Sequence, residues 1–192
     1  SCSDGKVDNV LTIAWTGIIN SAPPITYVSV RKSRHSHQLI EESGEFVINL
    51  VNEDLARSAD YCGVRSGRNE DKFAKCNLTK SPADHVKAPL IEESPVNLEC
   101  KVLEVKEYPT HDMFIAEIVA VHANEELFDE DNKIRLDLAN MVAFNHGEYF
   151  GIKRKPLGRF GFSVMKKSTK KRLNREAKEK RQKRNEGRKR KG

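Results

Sequence analysis

Short blocks of alternating apolar and polar residues begin within the first ten or so positions and predict a chain built mainly of strands. In Val10–Gly17, Leu11, Ile13 and Trp15 fall on one side of an extended chain and Thr12, Ala14 and Thr16 on the other, because successive side chains alternate. Ile25–Arg31 and Glu45–Val51 read as two further strands from their β-branched content. Between the strands, Ser33–Ser43 and Glu53–Cys62 have helical spacing with polar faces, and Asn69–Cys76 predicts a third, short helix. Pro23-Pro24, Gly44 and Gly67 supply the punctuation. Val96–Tyr108 and His111–Asn124 flank Pro109-Thr110 as a long antiparallel hairpin. The second run is apolar on both faces, with Met113, Ile115, Val119 and Val121 on one and Phe114, Ala116, Ile118 and Ala120 on the other. That pattern suits a barrel strand that also packs against something outside, a second subunit being one such surface. The expectation is therefore a mainly β protein, a β-barrel with peripheral helices.

Charge divides this picture in two. Of 192 residues, 34 are Lys or Arg and 28 are Asp or Glu, but residues 166–192 hold 15 of the basic residues against 3 Glu, a net of +12. Residues 1–165 keep 19 against 25, a net of −6, and read as one acidic domain followed by a basic tail. A body of that length buries roughly 70% of its unfolded surface, enough for a core without disulfide or metal staples. After Met165 the tail has almost no apolar residue but Leu173 and Ala177, so disorder is expected, with transient helix around Glu176–Lys180 and Glu179–Lys183. Its charge suits weak, nonspecific contact with RNA, DNA or an anionic surface, and a solubilising role fits the same residues.

No stretch approaches the roughly 18–20 apolar residues of a membrane span, and the start lacks the apolar core of a signal peptide, which predicts a cytoplasmic protein. The first residue is not Met and the alternation begins close behind it, which predicts a fragment or processed form lacking an upstream element. Cys2, Cys62, Cys76 and Cys100 are isolated, without zinc spacing, and are expected to be reduced structural thiols. His35 and His37 stand two apart, so they diverge around a helix, no carboxylate cluster joins them, and no metal site is expected.

Three segments carry candidate chemistry. The Thr12, Ala14 and Thr16 side of the first strand is small and weakly polar, which lets a flat ligand lie against the backbone; a solvent-facing strand has the same pattern. In Ser29-Val-Arg-Lys-Ser-Arg-His-Ser36 a strand gives way to a helix, with Ser29 and Arg31 on one side of the strand and Ser33 as the expected N-cap. Free N–H groups, hydroxyls and guanidinium groups together make an anion site there, although a capped surface helix with incidental basic residues fits as well. The glycine-broken loop Asp60–Phe73 adds Arg68, Lys72 and Asn69, the last as the cap of the short helix.

Taken in order, Asn9-Val-Leu-Thr-Ile-Ala-Trp15, Asn20-Ser-Ala-Pro-Pro24, the Ser29–Ser36 stretch, Phe46-Val-Ile-Asn-Leu50, Asp60-Tyr-Cys-Gly63, Ser66-Gly-Arg-Asn69, Asp71-Lys-Phe73, His111-Asp-Met-Phe114 and Gly158-Arg-Phe-Gly-Phe-Ser-Val164 are similar to a known family. They resemble the flavin reductase-like, FMN-binding split-barrel proteins, in particular the flavoredoxin branch, from about Asp4 to Val164. The resemblance implies an FMN-binding split β-barrel over residues 1–165, lacking the strand the family usually has ahead of this start. It implies a homodimer holding noncovalent FMN near the subunit boundary, reduced by NADH or NADPH or exchanging electrons with a redox partner protein. Carried over by position, it places Thr12, Ala14 and Trp15 beside the isoalloxazine and Ser29, Arg31, Ser33, Arg34 and Ser36 around the phosphate. Arg68, Asn69 and Lys72 complete that site.

Hydride transfer between nicotinamide and flavin requires no acid–base triad, only binding, orientation and electrostatics. Asn145-His-Gly-Glu-Tyr149 resembles the place where related reductases have a histidine near the nicotinamide, which makes His146 the candidate; His-Gly is also a common turn. A reading of a different class remains, a nucleic-acid-associated binding protein in which the split barrel is scaffold and the tail is the contact.

Overall fold

A computed structural model describes residues 1–153, 155–158, 160–173 and 175. The chain divides into two compact units, Ser1–Arg154 and Lys155–Gly192, a break ahead of the composition change at Met165. The first unit contains, in order, β1 Cys2–Ser3, β2 Asp8–Asn9, β3 Thr16–Ser21, β4 Pro24–Arg31, α1 His35–Ser43, β5 Glu45–Asn49, α2 Ala56–Val64 and α3 Lys72–Lys75. It continues with β6 Lys80–Ser81, β7 Leu90–Ile91, β8 Val96–Glu107, β9 His111–Ala123, β10 Val142–Asn145 and β11 Glu148–Gly151. Its centre is a five-stranded antiparallel sheet in the order β3-β4-β9-β8-β5, with β1-β2, β6-β7 and β10-β11 as separate pairs.

Period two governs the sheet. In β4, Thr26, Val28 and Val30 are buried, and opposite them in β9 so are Asp112, Phe114 and Ala116. These meet Leu39 and Ile40 of α1, Phe46 of β5 and Cys100 of β8 in the main core. The long hairpin closes through Pro109-Thr110, with Tyr108 N donating to His111 O at 3.0 Å. The other face of β9 is covered at Val119 by Ala83, Val86, Ala88 and Leu90 of the same chain, whereas Val121 is exposed.

One expected strand is displaced. Val10–Trp15 joins no ladder; β3 begins only at Thr16 and pairs with β4 through a bulge between Ile18 and Asn20. The alternation of residues 10–13 records packing instead, since Val10 enters one apolar cluster while Leu11 and Ile13 pack on the main core. Two expected caps also move. Helix α1 starts at His35 with Arg34, not Ser33, at its N-cap position, and α3 is capped by Asp71, whose side chain accepts from Phe73 N and Ala74 N, rather than by Asn69.

In the second unit, Phe162–Val164 form a 3-10 turn and 167–173 are helical. The helix lies within the segment expected to be disordered; the Glu176–Lys180 and Glu179–Lys183 spacings lie outside the described residues. No helix among the described residues is long and apolar enough to cross a membrane.

Candidate functional site

Strand β4 ends at Arg31 and the nine-residue helix α1 begins four residues later, its first turn buried at Ser36 and His37 against the sheet. No side chain caps that turn and it contains no acidic residue, and although His37 N donates to Arg34 O at 3.1 Å, the His35 and Ser36 N–H groups and the positive end of the helix dipole remain available to an anion. The Ser33 carbonyl is used differently from the expected cap: it accepts a hydrogen bond from Arg68 Nη1 at 3.0 Å. That bond brings the loop after α2 to the start of α1. The same approach is secured beneath, where Asn9 Nδ2 donates to the buried Ser36 Oγ at 2.8 Å. Gly67 completes it, because a Cβ there would lie 2.1 Å from Asn9 Oδ1.

Ser33, Arg34, Ser36 and Arg68 are therefore brought together by three pieces of chain, with Arg31 ending β4 just ahead of them and Asn69 exposed on the same loop as Arg68. Lys72 sits below them, 2% exposed, its Nζ donating to Cys62 O at 3.0 Å and Arg65 O at 3.3 Å. It ties the loop to the end of α2 rather than presenting its ammonium at the surface. Burial pushes its pKa down, and the Arg34 charge pushes the same way. His35 is held below the usual imidazole range by burial and then by Arg68 and Lys72, and its Nδ1 is buried without a hydrogen-bond partner.

Among the described residues, no carboxylate forms an ion pair with Arg31, Arg34 or Arg68. Lys32 pairs with Asp112 and Glu107, Lys80 with Asp8 and Arg135 with Asp137, whereas Arg57, Arg65, Lys75 and Lys101, like the three arginines, form no ion pair among the described residues. An uncapped helix start, an orphaned imidazole nitrogen and three uncompensated guanidinium groups fit the terminal phosphate of FMN.

Next to this cradle, Ser29 N donates to Trp15 O at 3.0 Å and holds the 10–15 segment against β4. The exposed Trp15 ring lies 4.7 Å from the His111 imidazole, tilted by 41°, and gives a planar surface beside Arg31, which pairs with His111 across the sheet. Ala14 is exposed next to it, while Thr12 turns inward and its hydroxyl donates to Ala59 O of α2. An apolar cavity of about 130 Å³ lies under Thr12 and Ser36, too small for a flavin by the usual size of ligand pockets. His146 occupies the exposed turn between β10 and β11 at φ 48°, and no hydrogen bond or ring contact joins it to the cradle among the described residues.

Sequence reasoning missed three contributors. His111 underlies Trp15, Asn9 props Ser36, and the buried His37 sits 2.7 Å from Asp112, which also pairs with Lys32 at 3.2 Å. This last group ties α1 to β9. The His111-Asp112 dipeptide and the buried phase of His37, between Ser36 and Leu39, were the available signals.

Residues 1–153 match the flavin reductase like domain. The fold is similar to the flavoredoxin of Desulfovibrio vulgaris (Miyazaki F), with a TM-score of 0.76, 34% identity and coverage of 82% of this chain and 85% of that one. An uncharacterized protein of Archaeoglobus fulgidus is 36% identical over 113 residues, 59% of this chain and 64% of the relative's length. The reductase component of a Rhodococcus opacus 4-nitrophenol 4-monooxygenase/4-nitrocatechol 2-monooxygenase is 29% identical over 112 residues, 58% of this chain and 57% of that protein. The chain belongs to the flavin reductase-like family, with the split-barrel fold of its FMN-binding members.

Proposed function

We propose that the protein is an FMN-dependent oxidoreductase, reduced by NADH or NADPH or, as a flavoredoxin-like carrier, by a redox partner protein. The observation that carries this reading is the set of Arg31, Arg34 and Arg68 around the uncapped start of α1, without a carboxylate to neutralise it. A single terminal phosphate at a helix start favours FMN over FAD. Bound there, FMN supplies a ring that accepts a hydride or electrons. The protein's own part is positioning. Arg31, Arg34, Arg68 and the α1 amides hold the phosphate, Ser29 and Ser33 line its approach, and Trp15 with His111 orients the flat end. Lys72 keeps the Arg68 loop in place. His146 positions the nicotinamide.

The functional unit we propose is a homodimer in the cytoplasm, because Ile18, Leu103 and Val121 leave apolar surface on the sheet at 67%, 56% and 59% exposure. An absorption spectrum of the purified protein, followed by NADH and NADPH additions without oxygen, tests the reading. FMN bound and bleached by a pyridine nucleotide supports the reductase; FMN bound but bleached by neither supports the carrier; failure to bind FMN overturns both. His146→Ala should raise the nucleotide KM more than it lowers kcat, the sign of lost uniform binding. Light scattering should give about twice the 21.8 kDa chain mass.

A further inference from the structure

All four cysteines are free thiols, but two are neighbours: Cys62 Sγ and Cys76 Sγ lie 3.9 Å apart. Thirteen residues separate them, and the fold brings them together because Lys72 of α3 bonds the end of α2. Cys62 is in the last turn of α2 and Cys76 closes α3, with Lys72 bonded to the Cys62 carbonyl between them. Both belong to the small cluster of Val10, Phe73, Ile91 and Leu78, which holds them in contact. Their surroundings differ. Cys62 is 2% exposed, and burial followed by the neighbouring Cys76 pushes its thiol up to about 12. Cys76 is half-buried and opens on a surface cleft bordered by Arg57, Tyr61, Arg65 and Lys75. Cys2 and Cys100 are buried and make their sulfur hydrogen bonds to backbone carbonyls, not to another thiol.

We propose that Cys62 and Cys76 form a peroxide-responsive thiol pair whose disulfide fixes the loop carrying Arg65 and Arg68. A hydroperoxide entering by the cleft meets Cys76 first. The Cys76 sulfur attacks one peroxide oxygen, the O–O bond breaks, and with hydrogen peroxide the other oxygen leaves as water carrying the Cys76 thiol proton, giving a sulfenic acid. The Cys62 sulfur then attacks the Cys76 sulfur, the S–O bond breaks, and the hydroxyl leaves as a second water with the Cys62 proton. Two thiols are oxidised by two electrons and one peroxide is reduced to two waters. The sulfurs must close from 3.9 Å to about 2 Å, a movement available to Cys76 at the end of a four-residue helix. The closed loop spans Gly63–Lys75, so the bond fastens covalently the segment that Lys72 already holds by hydrogen bonds. The inference is independent of flavin binding.

The test treats the full chain with a small excess of hydrogen peroxide, then alkylates the denatured protein and maps its peptides. The expected result is one intrachain link between residues 62 and 76, reversed by dithiothreitol, with Cys2 and Cys100 still alkylated. In Cys62→Ser, Cys76 should instead accumulate as sulfenic and sulfinic acids; in Cys76→Ser, Cys62 should stay reduced. Native tryptic cleavage after Arg65 and Arg68 should slow by about tenfold or more in the oxidised protein, because the link raises the cost of opening the loop. Four free thiols after peroxide, or a link between two chains through Cys76, would overturn the thiol pair. Cleavage as fast as in the reduced protein would overturn the restraint on the loop.

Discussion

Arg68 donates from Nη1 to the carbonyl oxygen of Ser33 at 3.0 Å across 35 positions of sequence. That bond uses one of five guanidinium N–H groups and holds the charge beside the start of α1 with the rest free to donate. In the reading we propose, the loop carrying Arg68 is one wall of an anion cradle and Arg31 and Arg34, at the end of β4 and the N-cap position of α1, are the other; Lys72 ties the first wall to the end of α2.

Removing the walls should weaken FMN binding without unfolding the protein, since Arg31 and Arg68 are exposed, Arg34 is partly so, and none is ion-paired among the described residues. Each of Arg31→Ala, Arg34→Ala and Arg68→Ala is expected to cost about 1.5–3 kcal/mol of binding, or more than tenfold in affinity. Fluorescence titration with FMN measures this. Lys80→Ala, which removes a cation already matched by Asp8, should bind FMN as the wild type does. Unchanged affinity in the Arg31 and Arg34 double substitution would move the phosphate elsewhere.

Lys72 should separate from the arginines by its effect on stability. Its ammonium satisfies two carbonyls in a buried position, so Lys72→Met keeps the stem volume but leaves Cys62 O and Arg65 O without their donor. The cost is about 1–3 kcal/mol, a fall in Tm of several degrees in thermal unfolding. FMN affinity should fall less than in Arg68→Ala. The reverse order would mean that Lys72 reaches the phosphate itself.

The strand β4 and the first half of β9 were legible because one face is buried and period two survives, and β5 and the first half of β8 because their apolar runs are buried on both faces, Phe46 in one cluster and Val47 in another. The β3 strand was not: Thr16, Ile18, Ile19 and Asn20 are all exposed, and a bulge breaks the phase. The 10–13 segment misled in the opposite sense, since alternation reports burial and Leu11 and Ile13 are partly buried without a ladder. In Ser29–Ser36 the strand end and the helix start were readable because both signals are local, but the expected Ser33 cap was not, since the helix begins one residue later without a side-chain cap. The role of Lys72 was not, because nothing in the sequence marks a lysine as buried when its partners are carbonyls at Cys62 and Arg65. Arg68 stood out by its charge and by the family resemblance; its geometry depends on a long-range bond that no spacing encodes.

Acid should destabilise the barrel through two buried carboxylates, Glu99, bonded to His122, and Asp112, bonded to His37 and Lys32 beside the start of α1. Glu99 and Asp112 are 0% and 3% exposed. Burial opposes their charge, but the Asp84 amide, His122 and the His85 amide at Glu99, and His37 and Lys32 at Asp112, outweigh it and hold both carboxyls below the usual range. A carboxyl depressed on folding contributes stability that is complete above its unfolded value, about pH 4, and is lost as pH falls through the folded value. Tm should therefore hold from neutrality to about pH 5 and drop below it. In Glu99→Gln, Tm should be lower at pH 7 and fall less between about pH 5 and pH 3. An acid slope equal to that of the wild type would assign the loss to other groups.

The basic C-terminal segment should act independently of the flavin site. Residues 166–192 carry +12, whereas the cradle lies in a body of net −6, so the two differ in what holds an anion. The segment offers charge alone, without an aromatic residue on which a base could stack, and attraction of that kind falls steeply with salt and ignores sequence. The cradle adds directed donors from α1 and Arg68 that salt screens less. Deleting residues 166–192 should therefore abolish low-salt retention on RNA or DNA, leaving FMN content and NAD(P)H oxidation intact. Electrophoretic mobility shifts at two salt concentrations, beside FMN titration of the same protein, separate the outcomes. Retention undiminished by the deletion would place polyanion binding on the body and favour the nucleic-acid reading of the barrel; loss of FMN would show that the flavin site draws on residues beyond Met165.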